Sequence, residues 1–338
     1  MTARTPLPSR LPAACFFYDG AMSNLSTAGE AEECRALAGG VPEIEALPAR
    51  EVRLGAIDVH RVLPVRGRRL IGPWCFFDRF GPLTFGEEKP MDVAPHPHIG
   101  LQTVTWLLSG EVVHNDSLGS ECLVRPGQLS LMTAGRGIAH TEETPPANSG
   151  KLDGVQLWVA LPEASRAVAP HYQCTTELPV VECPGGRVAV IMGEFAGAAS
   201  RGRQFSPGLG AEVVVDAGGR ACVELRPDYE HGVLLASGDA AVMGVPVALD
   251  TLYYLGAGRH EIVISSAGGA RLILVGGEPF GETILMWWNF VARTAEEIAE
   301  ARNLWEDLDS SGETFGKVPG YRGARLQAPA FSGRPIRG

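Results

Sequence analysis

The chain has 338 residues, of which 45% are apolar, and a formal net charge of −10, enough material for two domains that each bury a core. The negative charge, with no basic run longer than Arg66-Gly67-Arg68-Arg69, excludes direct nucleic-acid binding as a first expectation. No apolar stretch reaches the roughly 20 residues of a membrane-spanning helix. Seven scattered cysteines without a CxxC pair point to reduced thiols and a cytoplasmic setting.

Residues 1–44 read as a poorly ordered leader. Leu11 to Phe17 is interrupted by Pro12 and is too short for the apolar region of a signal peptide, and either Met1 or Met22 can serve as the start. From Val52 to Leu161 short apolar runs alternate with turn signals such as Gly72-Pro73, Gly81-Pro82, Ser109-Gly110 and Arg125-Pro126-Gly127. Strands at this spacing predict an all-β barrel or jelly roll. A second strand-rich block runs from about Val180 to Gly276. Leu107-Leu108-Ser109-Gly110-Glu111 has a counterpart in Leu235-Ala236-Ser237-Gly238-Asp239, and Ala134-Gly135-Arg136-Gly137 in Ala257-Gly258-Arg259-His260. Two matches in the same order suggest a duplicated barrel. The expected division is a first barrel over 45–178, a second over 179–292, and a C-terminal helix and tail over 293–338. Thr294 to Glu297 has the spacing of a helix capping box, and Ile298, Arg302 and Trp305 follow on one face of a helix of about 14 residues.

The chemistry concentrates in two words. In Pro95-His96-Pro97-His98, residues two apart on an extended strand share a face, so His96 and His98 project together, and the prolines keep the segment extended. In Gly135-Arg136-Gly137-Ile138-Ala139-His140-Thr141-Glu142-Glu143, His140 and Glu142 share a face in the same way, and Glu143 points elsewhere. Either pair alone is a weak signal. Two pairs at turn–strand junctions of one barrel deliver three imidazoles and a carboxylate, a set that suits Fe(II), Mn(II), Ni(II), Zn(II) or Cu(II). Four protein ligands leave one or two positions open, which favours catalysis or ligand exchange over a structural role.

Several other residues carry a functional and a plain alternative. His114 and Asp116 either support a metal-bound imidazole or form a polar hairpin. Gln102 either lines the pocket or satisfies backbone groups. Asp78 and Arg79 read as a buried structural ion pair or a turn, and Trp106, Trp158, Trp287 and Trp288 as packing residues. Cys75 and Cys122 read as small core residues, and His231 and His260 as surface or loop histidines.

Phe76-Phe77-Asp78-Arg79-Phe80-Gly81-Pro82, His96-Pro97-His98-Ile99-Gly100, Met132-Thr133-Ala134-Gly135-Arg136-Gly137-Ile138-Ala139-His140-Thr141-Glu142 and Gln156-Leu157-Trp158-Val159 resemble the pirin family of the cupin superfamily over about residues 45–300. The resemblance implies two cupin β-barrels in tandem, with metal, normally iron, held in the first by His96, His98, His140 and Glu142. The carboxylate that cupins more typically place four residues after the second histidine is here Gln102, and the second barrel reproduces neither histidine pair. Quercetin 2,3-dioxygenase activity on flavonols with O2 is known in the family and is the expected function, with Glu142 both ligand and general base. The alternative is a non-enzymatic, redox-sensitive iron protein that acts through a protein partner.

Overall fold

The computed structural model describes residues 37–38, 41–54, 57–86 and 89–333. Most of the expected leader, with both candidate start methionines, lies outside them. Among the described residues no helix is long and apolar enough to cross a membrane.

Two antiparallel β-barrels dominate, each a seven-stranded sheet facing a four-stranded one. In the first barrel the large sheet runs His171–Thr175, Leu129–Thr133, Leu101–Gly110, Lys151–Ala160, Trp74–Thr84, Ile57–Leu63, Arg50–Leu54, and the small sheet Glu121–Val124, Val112–Asp116, Ile138–Glu143, Asp92–His98. In the second the large sheet runs Val180–Cys183, Gly186–Met192, Gly208–Val215, Ala270–Gly277, Glu230–Gly238, Thr251–Gly256, Glu45–Pro48, and the small sheet Arg220–Glu224, Glu261–Ser265, Ala240–Val242, Val245–Val247.

Side-chain alternation explains the layers. In Arg220–Glu224 and Glu261–Ser265, Ala221, Val223, Ile262 and Ile264 turn inward, and the residues between them turn outward. Trp74 to Phe80 are all buried, because this strand has the first barrel's interior on one face and the second barrel on the other. The two large sheets share a core: Trp74, Phe77, Trp106, Leu131 and Leu157 from the first meet Ile191, Leu234, Leu252, Ile273 and Val275 from the second. The indole of Trp74 donates to Gly276 O at 2.9 Å, and that of Trp106 to Glu212 Oε2 at 3.0 Å.

The repeated sequence words fall at equivalent places. Gly110 and Gly238 end corresponding strands with φ of +88° and +84°. A Cβ at either would lie 2.1 Å or less from a carbonyl oxygen of the adjoining strand, that of Lys151 or Gly269, so glycine is required twice by the same crossing.

Each barrel also receives an edge from the far end of the chain. Glu45–Pro48 extends the second barrel's large sheet. The hairpin Leu285–Trp287/Phe290–Ala292 returns to the first barrel, where Val291 N donates to Ile99 O at 3.1 Å. Helix α1 (Ala295–Glu306) follows, with Thr294 Oγ1 accepting from Glu297 N at 3.2 Å. Glu297 reaches back to Arg293 N at 2.8 Å, one residue earlier than in a standard capping box. Ile298, Ala301 and Trp305 pack with Ala139, Trp287 and Phe290. A second helix, α2 (Leu308–Thr314), was not anticipated.

Three sequence expectations are corrected. Cys122 is bonded to Cys174, tying the small sheet of the first barrel to its large one, so reduced thiols do not hold for this pair. Asp78 and Arg79 are both buried but face opposite ways, as neighbours on a strand must. Asp78 takes two 2.7 Å bonds from Arg61 inside the barrel, and Arg79 pairs with Asp153 and donates to Ala236 O of the second barrel at 3.2 Å. His231 is no surface residue: it lies fully buried in Glu230–Gly238, beside Gly276. His260 is exposed, as expected.

Candidate metal centre

Asp92–His98 is the edge strand of the first barrel's small sheet, where Pro95 and Pro97 break no ladder. Its partner Ile138–Glu143 runs antiparallel, with His140 directly opposite His96 and Ile138 opposite His98. Gly135 and Gly137, both at positive φ, turn the chain into that partner. The three imidazoles therefore meet inside the barrel. Their ring centroids are 4.3 to 5.0 Å apart, all are at most 5% exposed, and one nitrogen of each falls within 4.8 Å of the others.

Each ring is set by its second nitrogen. His96 Nδ1 lies 2.9 Å from Ala94 O, and His98 Nδ1 lies 3.0 Å from Asn289 O. Both therefore donate from Nδ1 and turn Nε2 inward. His140 Nδ1 is 3.3 Å from His114 Nδ1, and His114 Nε2 is 3.3 Å from Asp116 Oδ2. Asp116 Oδ1 accepts from Leu118 N and Ser120 N. One proton arrangement satisfies the whole chain: His114 donates to Asp116, His140 donates to His114, and His140 Nε2 is left with its lone pair. Tyr172 stacks flat on His114, centroids 4.0 Å apart.

His98 Nε2 and His140 Nε2 are 3.1 Å apart. With both Nδ1 atoms protonated these are two facing lone pairs, a repulsive contact unless a cation lies between them. Neighbouring ligands on one ion, each about 2.1 Å from it, have such a separation. Burial, the leading cause, pushes His96 down to about 4 and His98 and His140 well below the ordinary value. The rings are thus neutral and able to ligate at neutral pH. These residues fit a divalent metal.

Glu142 stands slightly apart. The register breaks by a bulge between His140 and Glu142, so an unbroken two-residue rhythm does not describe the pair. The tight cluster contains the three histidines without it. Glu142 lines the same cavity, where the single hydroxyl proton of Thr105 has two acceptors in reach, Glu142 Oε1 at 3.2 Å and Gln156 Oε1 at 2.8 Å. Burial raises Glu142 to about 7, the Thr105 bond working against it. Gln102 faces away from the cavity: its amide donates to Thr133 Oγ1 and to Arg203 O.

The cavity itself encloses about 40 Å³, bounded by the histidines, Glu142, Gln156, the Arg61–Asp78 pair, Trp158 and Asn289. Trp158 stacks on Phe76 at 4.1 Å and presents its ring to the edge of His98, so this packing tryptophan is also a wall of the site. Thr105 and Gln156 escaped the sequence analysis. Their signal was a polar residue inside an otherwise apolar strand word, Thr103-Val104-Thr105-Trp106 and Val155-Gln156-Leu157-Trp158. Asn289 left no such trace, being 191 positions from His98.

Comparison with known proteins follows the same division of the chain. The family described as Pirin matches residues 56–159, and the Pirin C-terminal cupin domain matches 210–310. A Pseudomonas aeruginosa protein provisionally named a quercetin 2,3-dioxygenase is 42% identical over 287 residues, covering 85% of this chain and 90% of its own. A pirin-like protein of Caulobacter vibrioides is 36% identical over 266 residues, covering 76% and 91%. The crystal structure of a quercetin 2,3-dioxygenase from Acinetobacter baumannii superposes with a TM-score of 0.83 at 41% identity, covering 87% of this chain and 97% of that one.

Proposed function

Given that the chain belongs to the pirin family of the cupin superfamily, we propose that it is a metal-dependent dioxygenase of the quercetin 2,3-dioxygenase type, with a flavonol-like substrate and O2. The observation that carries this is the convergence of three neutral, buried imidazoles with their Nε2 atoms turned to one point. His96, His98 and His140 would hold the metal, Fe(II) first and Mn, Ni, Zn or Cu as the other candidates, and Glu142 would be the fourth ligand. When bound, such an ion supplies open coordination positions and, if redox-active, the electron exchange that O2 chemistry needs.

The protein's own share is placement and exclusion of water. Asp116 and His114 hold the His140 ring in one orientation. Glu142, which lines the cavity beside Thr105, would accept the proton of a flavonol hydroxyl there. The dry walls of Trp158, Phe76 and Phe80 suit an aromatic substrate. At about 40 Å³ the cavity takes O2-sized ligands as it stands.

The test is anaerobic purification, metal analysis and O2 uptake with quercetin, comparing wild type with His96→Ala. Stoichiometric iron with uptake abolished in the variant supports the oxygenase. Bound metal with no uptake, joined to redox-dependent capture of a protein partner, supports the regulatory alternative. No bound metal in either protein ends both. For Glu142, a Glu142→Gln variant that keeps its metal should lose turnover; full turnover would remove the base role.

A further inference from the structure

The hairpin Leu285–Trp287/Phe290–Ala292 has a two-residue tip, Trp288-Asn289, of which Asn289 lines the metal cavity. Trp288 has φ of +51°, an outlier conformation for a bulky side chain. It is held there by burial of its ring, 3% exposed, against Phe290 in an edge-to-face contact at 5.4 Å. The backbone strain at Trp288 thus accompanies a fixed placement of the next residue.

Asn289 is 1% exposed and uses its two halves differently. Its backbone carbonyl accepts from His98 Nδ1 at 3.0 Å, fixing the tautomer of that imidazole. Asn289 lines the cavity together with His96, His98, His140 and Glu142, and its buried Nδ2 has no hydrogen-bond partner in the protein. A buried amide donor left without a partner is costly and rare in native structures. Here it belongs to a residue that lines the same cavity as the three histidines. Among the other polar groups of that wall, Asp78 is paired with Arg61, and Gln156 Oε1 and Glu142 Oε1 both lie in reach of the single Thr105 hydroxyl proton.

We propose that Asn289 is a ligand-binding residue whose side-chain amide donates a hydrogen bond to the anionic oxygen, phenolate or enolate, of the molecule that takes the open position beside the three histidines. This rests on the metal-site reading above and adds to it the group that selects and orients the substrate oxygen. The donor comes from the C-terminal hairpin, so the site of the first barrel is completed by a segment that follows the second.

The probe is 4-nitrocatechol, a chelating oxyanion whose visible spectrum shifts on binding, titrated into the metal-loaded protein. Asn289→Leu should keep its metal and bind the probe about tenfold more weakly, the loss of one charge-assisted hydrogen bond. Asn289→Asp has the same shape, and replacing the donor with a second negative charge should weaken the probe at least as much. If Asn289→Leu does not fold, the isosteric Asp variant carries the test alone. Metal retained with the probe bound within about twofold of wild type overturns the proposal. Loss of metal from both variants overturns it too, since the residue would then serve only His98. A wild-type protein that takes up no metal removes the underlying metal site first, and the metal analysis reads that separately.

Discussion

His140 is held at one ring nitrogen and free at the other, and the holding group is itself held. His114 offers Nδ1 to His140 and its Nε2–H to Asp116. Burial depresses His114 against the pull of Asp116. In Asp116 burial works upward, but the bonds from His114 and Ser120 prevail and keep the carboxyl below its ordinary range. The pair therefore stays neutral imidazole against carboxylate, the state in which His114 can accept from His140. His114→Phe keeps the flat stacking on Tyr172 and removes the acceptor. The expected result is metal binding weaker by roughly 10–100-fold in competition with a chromophoric chelator, with the metal-free protein less stable by roughly 1–3 kcal/mol because the buried Asp116 and His140 each lose a partner. Unaltered metal affinity would show that His114 does not orient the ligand. Much of this was legible in the sequence. A period of two put His96 beside His98, and the resemblance picked out the same His140 and Glu142. The Glu142 bulge and the Asn289 carbonyl were not legible, because register shifts and partners 191 positions away leave no local pattern.

The strand–hairpin junction is the element on which these residues depend. Gly100 follows the histidine strand with φ of +70°, and a Cβ there would lie 2.1 Å from Val291 O. The hairpin that carries Asn289 is docked through that gap, by Val291 N to Ile99 O. Gly100→Ala must push the hairpin away as well as strain its own backbone. It should lower stability by roughly 1–3 kcal/mol and loosen metal retention, because His98 loses the fixed carbonyl of Asn289. Gly86→Ala, where an added Cβ meets nothing within 4 Å, is the control expected to do neither. Urea denaturation and metal release by a chelator read the two effects, and equal behaviour of both variants would show that the docking gap is not critical. The sequence predicted the elements better than their partners. Turn glycines and alternation marked the strands, and Thr294 marked the start of α1. That Leu285–Ala292 would return to the first barrel depends on long-range packing of Trp287, Phe290 and Trp305, and Leu308–Thr314 has too few apolar positions to declare itself a helix.

At the scale of the molecule the two barrels share one core, and the second carries a buried histidine close to that shared surface. His231 sits on the strand next to Ala270–Gly277, opposite Gly276, whose carbonyl receives the Trp74 indole. It looked like a loop histidine because His231 follows Arg226-Pro227-Asp228, a turn word, and burial inside its own barrel, beside Tyr229, is invisible locally. Burial, opposed by Asp228, pushes it down to about 4 in the folded protein, against about 6.5 in the unfolded chain. Between those values the unfolded state binds the extra proton, so acid favours unfolding there. The contribution is complete above pH 6.5 and is lost as pH falls through that window, on the order of 3 kcal/mol in all. Removing the metal exposes the same tendency in His96, His98 and His140, whose burial lowers them likewise, so the test compares proteins in one metal state. Urea midpoints of the metal-free wild type and of His231→Leu should both fall from pH 7 to pH 5, the variant less steeply, and parallel curves would mean that His231 contributes nothing to the acid response. A shallower curve for the variant would place one acid-sensitive point of the molecule inside the second barrel, on the strand Glu230–Gly238, apart from the three histidines of the first.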